Sequence, residues 1–288
     1  MSWTGRRHAF RAILAGPDCI HPASVFDAIS ARVAEDLGFE AGMFAGSVAS
    51  LAVLGAPDLV VLTLTEFAEQ VRRMTRATNW LPLLVDADHG YGNALSVMRT
   101  VQELEVAGAA ALTIEDTALP LPYGNGKLHL LPREEGLGKV RAALAARMES
   151  ELVIVGRTSA LQAGGLDEAM ARAVAYAEAG ADALFFTGVA SLEQVQALHE
   201  ATGKPIILGG TDGEFSREAL AAAGARIALQ GHHPFMAAVR AMQETLAALR
   251  DGTPPKALTN QPSAALMRQV TRKDDYTAAA RDFLGERT

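Results

Sequence analysis

Acidic side chains stand in two short motifs of this chain. Asp86 and Asp88 are one residue apart and follow the apolar run 81–85, and Glu115 and Asp116 end a second apolar run. Carboxylates held close together repel one another and raise each other's pKa. A divalent cation removes that repulsion, and carboxylate and water ligands suit Mg²⁺ or Mn²⁺. The alternative is that each acid caps the N-terminus of a following helix, where negative charge is favoured.

A second group of polar residues follows other apolar runs. Arg157 comes after the run 152–156, and a guanidinium there needs an anion, which is either a ligand's carboxylate or phosphate or an internal partner, Glu115 or Asp116. Hydroxyl groups, glycines and histidines occupy similar places: Gly46, Ser47, Ser50, Thr158, Ser159, Thr187, Gly209, Gly210, His232 and His233. We expect one of the two adjacent histidines to face the pocket and the other to cap a helix or meet solvent.

The sequence lacks the residue patterns that zinc sites, Schiff-base catalysis and disulfide bonds require. No HExxH, HxxEH or CxxC motif indicates zinc, and no lysine ends an apolar run to form a Schiff base. Cys19 is the single cysteine, so an intrachain disulfide is excluded and a reducing cytoplasmic location is expected. Without a histidine motif beside it, we interpret Cys19 as a small core side chain rather than a nucleophile.

A repeated junction indicates which elements position these groups. Four times a helical pattern ends in glycine (Gly38, Gly108, Gly180 and Gly224) and an apolar run follows at once. Glycine there closes the last helical turn, and runs that are apolar at consecutive positions are typical of parallel strands covered on both faces. Strands are predicted at 18–22, 40–45, 82–86, 110–114, 152–156, 182–186, 205–208 and 226–229. Helices are predicted at 27–37, 65–78, 94–107, 134–149, 167–179, 191–201, 214–223 and 234–249.

Eight alternating strands and helices predict an α/β fold, a (β/α)8 TIM barrel. An open doubly wound sheet is less favoured because no GxGxxG follows the first strand. Residues 1–288 are interpreted as one barrel domain, with an N-terminal helix in 1–17 and a C-terminal helical extension at 251–288. The extension either clasps a neighbouring subunit or covers one end of its own barrel. The active site of this fold lies at the carboxyl ends of the strands, where two long connections, 46–58 and 117–132, are predicted to be loops.

Composition limits the partners. Of the 288 residues, 49% are hydrophobic and 20% charged, and the formal charge of −7 argues against binding to a nucleic-acid backbone. No apolar run approaches the roughly 20 residues that span a bilayer, so no membrane partner is expected. With nucleic acid and membrane excluded, a small-molecule substrate is the expected partner.

Larger motifs resemble a known family. The segments SVFDAISARVAEDLGFEA, GSVAS, DADHGYGN, TIED and GRTSA make the chain similar, over nearly its whole length, to the isocitrate lyase/phosphoenolpyruvate mutase superfamily. The resemblance implies a (β/α)8 barrel whose eighth helix is swapped between subunits, a homotetramer built as a dimer of swapped dimers, and Mg²⁺-dependent chemistry beside a 2-oxo group. It implies Asp88 as the direct metal ligand, with Asp58, Asp86 and Glu115 binding the ion through water.

Within the superfamily the chain is most similar to the oxaloacetate decarboxylase branch, on GSVAS, DADHGYGN, TIEDT, an EEGxGKxRAAL helix and the Gly-His pair 231–232. This likeness implies decarboxylation of a small 2-oxo dicarboxylate without an organic cofactor. Arg157 and His232 are then catalytic and substrate-binding, and Ser47 and Ser50 bind substrate. No role is assigned to His89.

Two departures bear on the alternatives. The 117–132 loop has no cysteine where the superfamily's lyases carry a KxCGH-type loop, and the loop GGTDG (209–213) is shorter than in the decarboxylase branch and lacks its tyrosine. The alternatives are phosphonopyruvate hydrolysis, phosphoenolpyruvate mutation, carbon–carbon cleavage of a 2-hydroxy acid, or a non-catalytic binding barrel in which the acids are structural.

Overall fold

The protein is described from a computed structural model, which covers residues 2–121, 123–124, 126–210 and 213–285. Eight parallel strands form one sheet in chain order. They are β1 (Ala23–Ser24), β2 (Gly42–Ala45), β3 (Leu83–Asp86), β4 (Ala111–Glu115), β5 (Val153–Thr158), β6 (Ala183–Phe186), β7 (Ile206–Leu208) and β8 (Ala225–Ala228). The predicted alternation of strands and helices is confirmed.

The sheet curls so that its two ends meet. Ile20, just before β1, forms a parallel bridge with Ile227 of β8. The Ile20 amide donates to the Arg226 carbonyl at 2.9 Å, and the Ala228 amide donates to the Ile20 carbonyl at 3.0 Å. The result is a TIM-barrel-like arrangement in which the carboxyl ends of all eight strands lie at the same end of the sheet.

Helices connect the strands and continue beyond them. They are α1 (Trp3–Ala15), α2 (Ala28–Asp36), α3 (Gly46–Ala49), α4 (Leu64–Ala77), α5 (Ala94–Val106), α6 (Arg133–Ala146), α7 (Ala160–Ala163), α8 (Gly165–Ala179), α9 (Leu192–Thr202), α10 (Arg217–Ala222), α11 (His233–Arg250), α12 (Ala264–Val270) and α13 (Lys273–Leu284). Within the described part of the chain, none of them is both long and apolar enough to cross a membrane.

Local sequence explains where these helices begin and end. Asp27 caps α2, and Thr63 caps α4, each in a reciprocal capping box with the residue three positions later. All four glycines of the predicted junctions have positive φ, from 81° at Gly38 to 104° at Gly180. The helix–glycine–strand interpretation is therefore confirmed at each junction.

Two predictions of local structure were wrong. The first strand was placed at 18–22, but the strand is Ala23–Ser24, and within the predicted range only Ile20 pairs with β8. Pro22 interrupts the apolar run and has no N–H to donate, which separates the Ile20 bridge from β1. The connection 46–58 was predicted to be a loop, but it forms α3 and a π-helical turn, Ser50–Leu54. The segment begins with small residues that give no apolar periodicity, so its sequence did not predict a helix.

The chain divides into two compact units, Met1–His232 and His233–Thr288. The first contains the eight strands and α1 to α10. The second begins at α11, earlier than residue 251, where the sequence analysis began the extension. Within it α11 has no buried residue, and Asn260 Nδ2 donates to Thr245 Oγ1 at 2.8 Å.

Candidate active site

A pocket of about 150 Å³ opens at the carboxyl ends of the strands of the first unit. Its walls include Ser24, Ser47, Asp86, Arg157, Phe185 and His232. These side chains come from β1, β3, β5, β6, α3 and the segment after β8. The convergence follows from the fold, because parallel strands of a curled sheet all end at the same rim.

Asp86 lies at the centre of the polar contacts. It ends β3, opposite Thr113 of β4 in the register. Its Oδ1 accepts hydrogen bonds from Thr113 Oγ1 at 2.6 Å and from the Asp88 amide at 3.3 Å. Its Oδ2 accepts a hydrogen bond from Arg157 Nη1. Three donors thus fix the orientation of this carboxylate.

Arg157 bridges two buried acids. It stands opposite Glu115 in the β4–β5 register, with Nε 3.2 Å from Glu115 Oε2, and it also pairs with Asp86. Its Cζ lies 5.1 Å from the centroid of the Phe185 ring. Burial acts to lower the pKa of Arg157, but the carboxylates of Asp86, Glu115 and Asp88 outweigh it and raise that pKa. The arginine therefore stays charged. Among the described residues its buried Nε makes no hydrogen bond, and its contact with Glu115 is that of an ion pair.

The sequence left open whether Arg157 pairs with an internal acid, Glu115 or Asp116. The structure shows an internal pair with Glu115, and a second one with Asp86. Asp116 lies elsewhere, because successive residues of a strand point to opposite faces. Its Oδ2 accepts from Arg172 Nη1 at 2.9 Å and from the Tyr176 hydroxyl at 2.6 Å.

Asp88 has an unusual backbone. Its φ is +47°, in the left-handed region that few residues other than glycine adopt. Its carboxylate packs against Gly46, where an added Cβ would lie 2.2 Å from Oδ2. Burial, followed by the charges of Asp86 and Glu115, raises the pKa of Asp88 well above its ordinary value, and Arg157 only partly opposes this. Such strain and charge crowding are typical of functional sites.

A fourth acid stands at the rim. Asp58 has an exposed side chain, and partial desolvation, followed by the charge of Asp86, raises its pKa, while Arg157 and His232 lower it. Four carboxyl groups therefore gather near one arginine, and burial together with their mutual repulsion raises the pKa of Asp58, Asp88 and Glu115.

This donor set fits a divalent cation. The candidate groups are all oxygen ligands, and they are crowded enough that positive charge between them relieves repulsion. Among the described residues, no three acidic, histidine or cysteine side chains are spaced as ligands to one ion. A site with one direct carboxylate and several water-mediated ones agrees with both observations.

His232 is held between two hydroxyl groups. Its Nε2 lies 2.8 Å from Ser47 Oγ, and its Nδ1 lies 2.8 Å from Ser24 Oγ. Ser24 was not predicted as a site residue, because the misplaced first strand left it in a connection. Ser50 is 2% exposed and begins the π-helical turn. In the part of the chain that the structure describes, it does not line the pocket.

The two other histidines near the motifs are not among the described residues that line the pocket. His89 is buried, and burial, followed by the charge of Lys139, lowers its pKa to about 4, so its imidazole is neutral at pH 7. Lys139 Nζ donates to the His89 carbonyl at 2.8 Å, which braces the backbone next to Asp88. His233 is exposed and begins α11. Of the adjacent pair, His232 is therefore the one at the pocket.

The 117–132 connection is tied at its base. Ala118 donates its amide to the His129 carbonyl, and Leu131 donates to the Asp116 carbonyl, each at 2.8 Å. Pro122 and Asn125 lie outside the described residues, as do Thr211 and Asp212 of the connection after β7.

A larger cavity, of about 420 Å³, lies at the opposite, amino end of the strands. Its ionic groups are already paired, since Arg11 Nη1 contacts Asp182 Oδ1 at 3.1 Å. Features at this end of a barrel contribute to stability rather than catalysis, so the smaller pocket is the candidate active site.

Comparison with known proteins gives consistent results. The model of a family described as phosphoenolpyruvate phosphomutase matches residues 10–250. A curated oxaloacetate decarboxylase of Rhodopseudomonas palustris is 58% identical over 286 residues, which cover 99% of both chains.

Two solved structures share the fold. Oxaloacetate acetylhydrolase in complex with the inhibitor 3,3-difluorooxalacetate has a TM-score of 0.85 and 28% identity, with 99% of each chain covered. A phosphonopyruvate hydrolase complex with oxalate and Mg²⁺ has a TM-score of 0.83 and 29% identity, with 97% of this chain and 99% of that chain covered.

Proposed function

The chain belongs to the phosphoenolpyruvate phosphomutase family, and from this premise we propose that it is a carboxy-lyase that converts oxaloacetate to pyruvate and carbon dioxide. The observation that carries the proposal is the similarity, over nearly the whole chain, to curated oxaloacetate decarboxylases. The pocket agrees with it: a volume of about 150 Å³ favours a substrate with few carbon atoms.

We assign the metal site to the acids around Asp88. Asp88 is the proposed direct ligand of Mg²⁺, with Mn²⁺ as a possible substitute, and Asp58, Asp86 and Glu115 hold the ion through water. The crowding of these carboxyl groups, which raises the pKa of Asp88 and Asp58, supports this assignment. When bound, the cation supplies a Lewis acid that favours the development of negative charge on the 2-oxo oxygen.

Arg157 is assigned to the C1 carboxylate of the substrate. It lines the pocket and keeps its charge. Planar guanidinium groups suit carboxylates. Ser47 lines the same pocket and is assigned to a neighbouring substrate oxygen. The assignment of Ser50 to substrate binding rests on the family likeness alone.

The remaining walls favour loss of the C4 carboxylate. The pocket has an apolar side formed by Met43, Phe185 and Leu229. A charged carboxylate loses solvation there, whereas neutral carbon dioxide does not, so the apolar side favours the product. Cleavage of the C3–C4 bond leaves its electron pair on the pyruvate enolate. His232 is assigned to the substrate near the developing enolate or the leaving carboxylate, to which its imidazole is linked through the hydroxyl of Ser47.

A substrate panel tests the proposed function. Oxaloacetate, phosphonopyruvate and isocitrate are each offered with Mg²⁺, with and without EDTA, and pyruvate or glyoxylate is followed. We expect rapid release of pyruvate from oxaloacetate, far above the rate with Mg²⁺ alone, and its loss with EDTA. Pyruvate from phosphonopyruvate only would instead establish the hydrolase alternative.

Asp88→Ala separates an enzyme from a non-catalytic barrel. We expect this variant to stay folded by circular dichroism and to lose about 1,000-fold or more in kcat/KM, because no other group replaces the direct ligand. Full activity of the variant would refute the metal assignment.

We also propose that α11 is swapped between subunits of a homotetramer. Met236, Val239, Met242, Leu246 and Leu249 recur at helical spacing, and each is at least 39% exposed in the single chain. An apolar stripe of this length is typical of a helix that packs against another subunit.

A further inference from the structure

Decarboxylation leaves a proton-transfer step without an assigned donor. The enolate must receive one proton at C3 to become pyruvate, and none of the roles assigned above includes this transfer. The inference drawn here therefore rests on the proposed function. The candidate proton donors are Ser24, Ser47 and His232, because they line the same pocket and carry exchangeable protons.

These three side chains form a hydrogen-bonded chain. Ser24 Oγ lies 2.8 Å from Nδ1 of His232, and Ser47 Oγ lies 2.8 Å from its Nε2. Both ring nitrogens thus face a hydroxyl, which can donate or accept. A neutral imidazole has one donor and one acceptor nitrogen, so its partners determine which nitrogen carries the proton.

A neutral imidazole satisfies this geometry in two proton arrangements. In one, the Ser47 hydroxyl donates to Nε2, and its proton is directed at the ring rather than at the pocket. In the other, the Ser24 hydroxyl donates to Nδ1, Nε2–H donates to Ser47 Oγ, and the Ser47 proton is available to a substrate atom. Only the second arrangement makes Ser47 a proton donor.

We propose that Ser24 is a positioning residue that holds His232 in the Nε2–H tautomer, so that Ser47 protonates C3 of the enolate. The C3–H bond forms as the Ser47 O–H bond breaks. Ser47 Oγ then takes the Nε2 proton, Nδ1 takes the Ser24 hydroxyl proton, and Ser24, which is half-buried, is reprotonated by water. This leaves the ring of His232 as the Nδ1–H tautomer. Before the next turnover Nδ1 returns a proton to solvent and Nε2 takes one from solvent, which restores the Nε2–H tautomer of this half-buried histidine. The net reaction consumes one solvent proton per pyruvate.

The variants Ser24→Ala and Ser24→Thr test this assignment. Ser24→Ala removes the hydroxyl, whereas Ser24→Thr keeps it on a side chain that suits a strand. We expect kcat of Ser24→Ala to fall about 100-fold, within the range of general acid–base effects, while KM for oxaloacetate changes less than twofold, because Ser24 does not hold the substrate carboxylates. Ser24→Thr should recover most of the lost rate.

Two further measurements distinguish a proton relay from a merely structural role. By microscopic reversibility, the enzyme with Mg²⁺ should catalyse exchange of the pyruvate methyl protons in D₂O, followed by ¹H NMR, and Ser24→Ala should slow this exchange by the same factor as kcat. The ¹⁵N shifts of the His232 ring, recorded without metal, should report the Nε2–H tautomer in the unmodified protein and a changed tautomer ratio in Ser24→Ala.

The proposal fails if the unmodified protein holds the Nδ1–H tautomer, or if Ser24→Ala leaves kcat and exchange within twofold. The NMR result stands even if Ser24→Ala does not fold. If the unmodified protein does not decarboxylate oxaloacetate at all, the proposed function fails, and the tautomer measurement still judges the hydrogen-bonded chain separately.

Discussion

Replacing Gly46 by Ala should disable the metal site while leaving the fold intact. A Cβ at position 46 would lie 2.2 Å from Asp88 Oδ2, 2.6 Å from Oδ1 and 2.7 Å from Cγ. Ordinary contact begins at about 3.4 Å, so the carboxylate must move by about 1.2 Å (3.4 − 2.2) or change rotamer. A displacement of about 1 Å at a reacting centre costs on the order of 100-fold in rate.

Stability should respond much less than activity. Gly46 begins α3 and is not among the residues with positive φ, so its backbone accepts alanine. Alanine favours a helix over glycine by about 0.5–1 kcal/mol, and this offsets the disturbance at Asp88. We expect the free energy of unfolding to change by about 1 kcal/mol or less.

The assay separates metal binding from turnover. The melting temperature is measured against Mg²⁺ concentration, because a ligand at 100 times its Kd stabilises the native state by about 2.7 kcal/mol. Gly46→Ala should need far more Mg²⁺ for the same increase, and its kcat/KM should fall about 100-fold. The matched control is Gly138→Ala in α6, where an added Cβ meets no atom within 4 Å.

Unchanged Mg²⁺ stabilisation and activity in Gly46→Ala would refute the assignment of Asp88 as the direct ligand. If Gly138→Ala lost as much Mg²⁺ stabilisation and kcat/KM as Gly46→Ala, the loss would reflect any glycine-to-alanine change in a helix rather than a specific effect on Asp88.

Three more predictions concern other parts of the chain. Cys19 should react with iodoacetamide at pH 8 about 100-fold more slowly than a free thiol, because burial raises its pKa from 9.0 to about 11; unfolding in urea should restore the rate. Asp116→Ala should lower the free energy of unfolding by about 3 kcal/mol in urea titrations, because Arg172 loses a buried partner; a loss below about 0.5 kcal/mol would contradict this. Met242→Glu should reduce the molecular mass in light scattering, whereas Gln243→Glu, exposed on the same helix, should not; an unchanged assembly in Met242→Glu would argue against the buried α11 stripe.

Much of the fold follows from local sequence. The glycine junctions marked helix ends because each glycine takes a conformation that other residues avoid. β1 was misplaced because a two-residue strand carries no periodic signal, and Pro22 separates it from the Ile20 bridge. The π-helical turn at Ser50–Leu54 has no recognisable sequence pattern at all.

The site was partly predictable for a geometric reason. Parallel strands deliver their last residues to one rim, so the meeting of Asp86, Glu115 and Arg157 could be expected from the chain alone. The choice between Glu115 and Asp116 as the arginine's partner could not, because it depends on which face of β4 each residue occupies in the barrel. Ser24 escaped prediction because the first strand was placed at 18–22, which left this residue in a connection rather than at the end of a strand.

The left-handed backbone of Asp88 sets function against stability at a single position. Glycine would adopt φ +47° without steric penalty and would remove one carboxyl group from a crowded acidic cluster. A library selected for thermal stability alone, without Mg²⁺ and without substrate, should therefore enrich Asp88→Gly. The same library selected for turnover should discard it. Stabilising this protein by consensus or directed evolution thus calls for a functional screen at every round, since a residue with a strained backbone is also the one on which its proposed chemistry depends.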